Sequence, residues 1–162
     1  MRHRRQRPVV ASLVALIALP LVVVSLPALG GEGGSRRYAA DDAAWRAECG
    51  SCHLPFPPAL LPAAEWSTTM RGLDRHFGTD ASIDAKAAAE TRAFLAANAG
   101  RGEARGVTEP RITTTRWFRH EHGEIAAATF GSPAVKSAAN CAACHPGAAK
   151  GDFDEHAVRI PR

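Results

Sequence analysis

Two pentapeptides carry the chemistry of this chain: Cys49-Gly50-Ser51-Cys52-His53 and Cys141-Ala142-Ala143-Cys144-His145. Each holds two thiols three residues apart, near enough on one turn of backbone for both to bond the vinyl groups of a single porphyrin. The histidine that follows is then carried beneath the iron as an axial ligand. This is the attachment signal for c-type haem, and the two copies use all four cysteines, Cys49, Cys52, Cys141 and Cys144. Other uses of the spacing fit less well. A lone Cys-x-x-Cys serves in redox dithiols and zinc ribbons, but a zinc site has no need of a histidine after the second cysteine of both pairs. Disulfides across so short a spacing close tiny loops and stabilise little. The expected cofactors are therefore two covalently bound haem c groups, with His53 and His145 as the first ligand of each iron.

A low-spin haem iron takes a second axial ligand, usually His or Met. Met70 is the one methionine besides the initiator, so two Met-ligated haems are excluded. It falls on an apolar helical stripe, where core packing is its expected role. For the first haem the choice is His76, 23 residues after His53 and just before Gly78. Its competing role is a surface histidine at a helix end, favoured there by the helix dipole. The second haem has three candidates: His120, His122 and His156. On a helix, residues 120 and 122 point about 200° apart, so at most one of them faces the iron. His122 precedes His145 by 23 residues and is followed by Gly123, which permits close approach of a porphyrin. It is preferred, with His120 left at the surface. His156 lies among Asp152, Asp154 and Glu155, where a solvated, charge-paired role suits it, and it stays as the alternative ligand.

Residues 1–7 are basic, and the stretch 9–29 is apolar apart from two serines. This is an export signal, and it is also about long enough to span a bilayer. Small residues at Ala28 and Gly30 allow cleavage before Gly31; otherwise 1–30 is retained as an N-terminal membrane anchor. On either reading the remainder lies outside the cytoplasm, where covalent haem attachment is expected. The formal net charge of +4 comes from 20 basic and 16 acidic side chains. Arg2, Arg4, Arg5 and Arg7 supply the whole excess, so the rest of the chain is neutral. The basic pI, near 9.2, belongs to the leader and gives no support to nucleic-acid binding.

The elements that must position these ligands are helices and loops. Residues 31–37 form a glycine-bearing tether. A helix over 38–48 delivers the chain into Cys49. Leu54-Pro55-Phe56-Pro57-Pro58 cannot be helical and is expected to wrap one haem face, offering carbonyls to the Nδ1–H of His53. A helix over 63–77 places Trp66, Met70, Leu73 and Phe77 in one stripe. Ser82 caps a further helix to about Asn98, with Ile83, Ala87, Thr91, Phe94 and Leu95 inward. Residues 38–100 thus form a cytochrome c-like helical domain, and 101–110 a polar linker. Within 111–162, residues 111–125 are expected to begin as a short strand and continue as one or two helical turns, and the rest is a coil-rich segment moulded on the second haem. The fold class is mainly α with extensive loop. Aromatic residues are few and alanine abundant, so the core is thin and the porphyrins are expected to supply its apolar bulk.

The stretches AWRAECGSCHLPFPPALLPAAEW, LDRHFGTDASID, TRWFRHEHGEI, SAANCAACHPGA and GDFDEHAVRIPR resemble the dihaem cytochrome c family (DHC) of bacterial periplasms. The resemblance runs from about Tyr38 to the C-terminus. It implies two bis-histidine, low-potential haems that pass single electrons, and it supports His76 and His122 as ligands while keeping His156 in view. It implies redox partners such as a membrane b-type cytochrome and a small soluble monohaem cytochrome. The function expected is that of a periplasmic electron carrier and not an enzyme, because two imidazoles on each iron leave no position for substrate. Two other readings remain: a peroxidase-like enzyme with an open haem, and the electron-transfer subunit of a larger periplasmic oxidoreductase.

Overall fold

In the computed structural model of the protein, residues 38–102 and 104–161 are described. The expected leader (1–30) and tether (31–37) lie outside them. Five α-helices occur among the described residues: α1 (Ala43–Cys49), α2 (Ala63–Arg71), α3 (Ala85–Asn98), α4 (Arg116–Glu121) and α5 (Ala127–Phe130). Short 3-10 turns and irregular loop connect them, and no β-strand occurs among these residues. No helix among them is long and apolar enough to cross a membrane.

The helices begin where the sequence supplies a cap. Asp42 accepts the Trp45 N–H at the start of α1. Asp84 accepts the Lys86 and Ala87 N–H groups at the start of α3, and Thr115 accepts that of Phe118 at the start of α4. Each satisfies donors that the first helical turn leaves over. The helix expected over 38–48 begins only at Ala43, because Asp42 caps it there; three further expectations need correction. The cap of α3 is Asp84 and not Ser82, because a carboxylate two residues downstream reaches the same free N–H groups. The helix expected over 63–77 ends at Gly72, and Leu73–Arg75 tightens into a 3-10 turn. Phe77 therefore leaves the apolar stripe and is 42 % exposed. Residues 112–114 are a 3-10 turn (Ile112–Thr114) and not a strand; their β-branched residues have no partner strand to pair with.

The core lies where α1 and α2 pack on α3. Trp45, Leu61, Trp66, Met70 and Leu95 form it, with Phe56, Leu73, Phe94 and Ile112 against its edge. The Trp45 and Phe94 rings meet at 5.2 Å, and the buried Trp66 indole donates to the Pro58 carbonyl at 2.6 Å. Met70 is a core residue, as its place on the stripe implied. The inward positions of α3 are Ala87, Thr91 and Leu95, all buried.

The expected linker and the residues beyond it return to this body at three places. Ile112 packs on the core edge. Arg105 reaches across to Glu65 on α2, giving its backbone N–H and its guanidinium to the carboxylate at 2.8–2.9 Å. The backbone of Tyr38 donates to the Gly151 carbonyl at 2.8 Å, and its ring meets Phe153 edge-on at 5.5 Å. Gly151 has φ of 69°, and a Cβ there would collide with the Tyr38 carbonyl oxygen. Only glycine allows the two segments to approach so closely.

Candidate functional site

Cys49 closes α1, and the turn through Gly50 and Ser51 brings Cys52 and His53 to the surface. The second motif begins a 3-10 turn, Cys141–Ala143, continued by the His145 N–H donating to the Cys141 carbonyl at 2.9 Å. Returning over it, the C-terminal tail donates the Arg159 N–H to the Cys144 carbonyl at 2.8 Å. No disulfide joins any of the four cysteines. Burial, assisted by the Glu48 carboxylate, pushes the Cys49 thiol up to about 11. Burial, and then Cys144, likewise raises that of Cys141. An attacking thiol in a dithiol exchanger requires the opposite, a lowered pKa that supplies thiolate, and neither Cys49 nor Cys141 has it.

The proline-rich loop after the first motif orients His53 as expected. Its Nδ1 lies 2.7 Å from the Leu54 carbonyl oxygen. A carbonyl only accepts, so Nδ1 carries the proton and Nε2 presents its lone pair. Phe56 stacks on the same ring at 4.9 Å and 29°. Facing His53 is His76, with ring centres 6.3 Å apart and planes at 31°. His76 ends the 3-10 turn after α2 and starts a tight reversal, in which the Thr79 N–H donates to the His76 carbonyl at 3.0 Å. Burial, and then the neighbouring His53, lowers the His76 pKa, which favours the neutral imidazole that metals require.

The second motif has a matching partner. His122, at the C-terminus of α4, stands with its ring centre 6.2 Å from that of His145 and its plane at 75°. Its Nδ1 lies 2.9 Å from the Phe118 carbonyl, so Nε2 is again the free nitrogen. The ring stacks on Phe118 at 4.1 Å and 17°. His145 packs against Phe153 at 5.2 Å, and burial, then His122, lowers its pKa. Its buried Nδ1 has no hydrogen-bond partner among the described residues. His120 is exposed on the far side of the α4 terminus. His156 sits on the turn Glu155–Ala157 with its side chain 79 % exposed, 3.9 Å from the Glu155 carboxylate.

Both pairs fit a haem. Two imidazoles bound to opposite sides of one metal, with bonds of about 2 Å each, have ring centres roughly 6 Å apart. Simple ring packing reaches the same distance between His122 and Phe130, 6.2 Å, so the separation counts together with the identity of both rings as imidazoles. Each pair also has a Cys-x-x-Cys immediately before one of its members, the arrangement that covalent attachment demands. Sequence reading placed Phe56 in the loop over one haem face but missed the aromatic supports Phe118 and Phe153. Only Phe118 carried a signal: it precedes His122 by one helical turn, where side chains lie on one face.

The family model for dihaem cytochrome c matches residues 45–153. Among solved structures, a dihaem cytochrome c from Rhodobacter sphaeroides is 37 % identical with a TM-score of 0.64, covering 72 % of this chain and 99 % of its own. A new dihaem cytochrome c from Shewanella baltica OS155, sb-DHC, is 38 % identical with a TM-score of 0.65, covering 74 % and 92 %. A second structure, DHC purified from Rhodobacter sphaeroides, is 38 % identical with a TM-score of 0.58, covering 69 % and 96 %. No curated protein sequence matches the chain. With two attachment motifs on a helical, loop-rich fold and a family match across both, the chain belongs to the dihaem cytochrome c family, an electron-transfer protein with two covalently bound haem c groups.

Proposed function

We propose that the protein is a periplasmic electron carrier in which each iron is held by two imidazoles, His53 with His76 and His145 with His122. The observation that carries this reading is the pair of ring separations, 6.3 and 6.2 Å, each suited to one metal between two nitrogens. Bound there, the haems supply reversible one-electron chemistry at iron. Those four side chains would hold the two haems, and the Leu54 and Phe118 carbonyls keep Nδ1 of His53 and His122 protonated, leaving their Nε2 free to bind metal. With no axial position free, substrate has nowhere to bind, which favours a carrier over a peroxidase-like enzyme. Without a thioether ligand, the potentials are low relative to Met/His cytochromes.

Redox partners would meet the protein at an exposed haem edge near one of the two motifs. In line with the family, those partners are a membrane b-type cytochrome and a small soluble cytochrome, met through transient interfaces of modest size. Export by the leader, cleaved or retained as an anchor through residues 9–29, places the chain in the periplasm. His76→Ala and His122→Ala are each expected to turn one haem of two high-spin in absorption and paramagnetic resonance spectra. His156→Ala is expected to leave both low-spin. A high-spin signal from His156→Ala with none from His122→Ala would move the second ligand to the C-terminal tail.

A further inference from the structure

The two histidine pairs have nearly the same separation but different orientations. The His53 and His76 planes lie 31° apart, whereas those of His122 and His145 lie 75° apart. An imidazole donates π density to the iron d orbital aligned with its own π system. Two rings near one plane act on the same orbital and split it from its neighbour. Crossed rings act on different orbitals and leave the two close in energy. Resting on the bis-imidazole reading above, we propose that the chain builds two electronically distinct irons, and that Phe118 is the positioning residue that holds the second pair crossed.

Three contacts fix the His122 ring, and two come from Phe118. The Phe118 carbonyl takes the Nδ1–H at 2.9 Å, which sets the ring's direction from the α4 terminus. Its phenyl ring lies on the imidazole at 4.1 Å and 17°, which sets the plane. Phe130 closes the third side at 6.2 Å and also backs Phe118 at 6.1 Å. Phe118 is itself buried, so its ring has little freedom to follow the imidazole. His145 is set by a different segment, through Phe153 and behind it Tyr38. Helix α4 and the C-terminal tail therefore orient the two rings independently. In the first pair, Phe56 stacks on His53 at a looser 4.9 Å and 29°.

Low-temperature paramagnetic resonance on the oxidised holoprotein tests this. The expected spectrum holds two low-spin signals of equal weight, one rhombic and one with a distinctly larger highest g value. Phe118→Leu keeps the backbone carbonyl and removes the stack; it is expected to shift the second signal only. Phe56→Leu is expected to shift the first signal only. Haem content and far-ultraviolet dichroism are followed in parallel as a check on folding. Two superimposable signals of one type in the wild type would overturn the proposal while leaving bis-imidazole ligation intact. A strongly anisotropic signal unmoved by Phe118→Leu in a folded, fully loaded variant would remove Phe118 from the role. A high-spin signal in the wild type would instead reject the ligation on which the proposal rests.

Discussion

Glu65 is 2 % exposed, and its carboxylate is met almost wholly by one residue, Arg105, forty positions along the chain. Arg105 gives Nε and its backbone N–H to Oε1 and Nη2 to Oε2, while its Nη1 donates to Thr114. These hydrogen bonds hold the Glu65 carboxyl below the usual carboxylate range against the opposing effect of burial. Arg105→Met would leave a buried charge unpaired, at a cost of about 3 kcal/mol at neutral pH. The sign of the pH dependence follows from the lowered pKa. The stabilisation is complete above the ordinary carboxylate range and fades as acid protonates Glu65. The gap between wild type and Arg105→Met, read from denaturant midpoints, should therefore narrow from about pH 7 to about pH 4. A gap that widens with acid would show that Glu65 does not carry the effect. Nothing in the sequence announced this pair, because a contact between residues 65 and 105 leaves no local pattern. The haem ligands were legible for the opposite reason: Cys-x-x-Cys-His is local chemistry, and the equal 23-residue spacings of His76 and His122 were visible in the chain.

Among the elements, the reversal His76-Phe77-Gly78-Thr79 matters most for ligation. Phe77 has φ of 50° and Gly78 of 89°, so two successive residues are left-handed and the chain doubles back at once after the ligand. Phe77 bears this conformation with a side chain, partly offset by the Arg111 guanidinium 4.1 Å over its ring. At Gly78 a Cβ would meet nothing within 4 Å, so Gly78→Ala carries a purely conformational cost of about 1–2 kcal/mol. Thermal unfolding of the holoprotein should show that loss with both haems still attached. An unchanged midpoint would mean that the turn is not held as described. This element also shows where sequence reading stopped short. Both Gly72 and Gly78 are helix-stop signals, and periodicity favoured the later one because Leu73 and Phe77 extend the stripe. The structure ends α2 at the first, freeing the next six residues to fold around His76. The boundary of α3 was misplaced by a similar choice, between Ser82 and Asp84 as caps.

Across the whole molecule, apolar burial is unevenly shared. The core cluster of Trp45, Leu61, Trp66, Met70 and Leu95 lies entirely between residues 45 and 95. From residue 111 onward the buried hydrophobic residues are Phe118, Val135 and Ala148, too few to hold some fifty residues without the porphyrin. The thinness was legible from composition, but its uneven distribution was not. Replacing Cys141 and Cys144 with serine should therefore loosen the segment 111–162 far more than the segment 38–100. Limited proteolysis should cut the former first, and equal resistance of both segments would contradict this dependence on the second haem.

Four imidazoles closing both irons is the claim on which carrier function, spectra and stability all rest. Exposure of the dithionite-reduced holoprotein to carbon monoxide tests it most directly, because that ligand binds ferrous haem wherever an axial position is open. With His53, His76, His122 and His145 in place, the reduced absorption spectrum is predicted to stay unchanged. Formation of a carbonyl spectrum from one haem of the two would contradict the account.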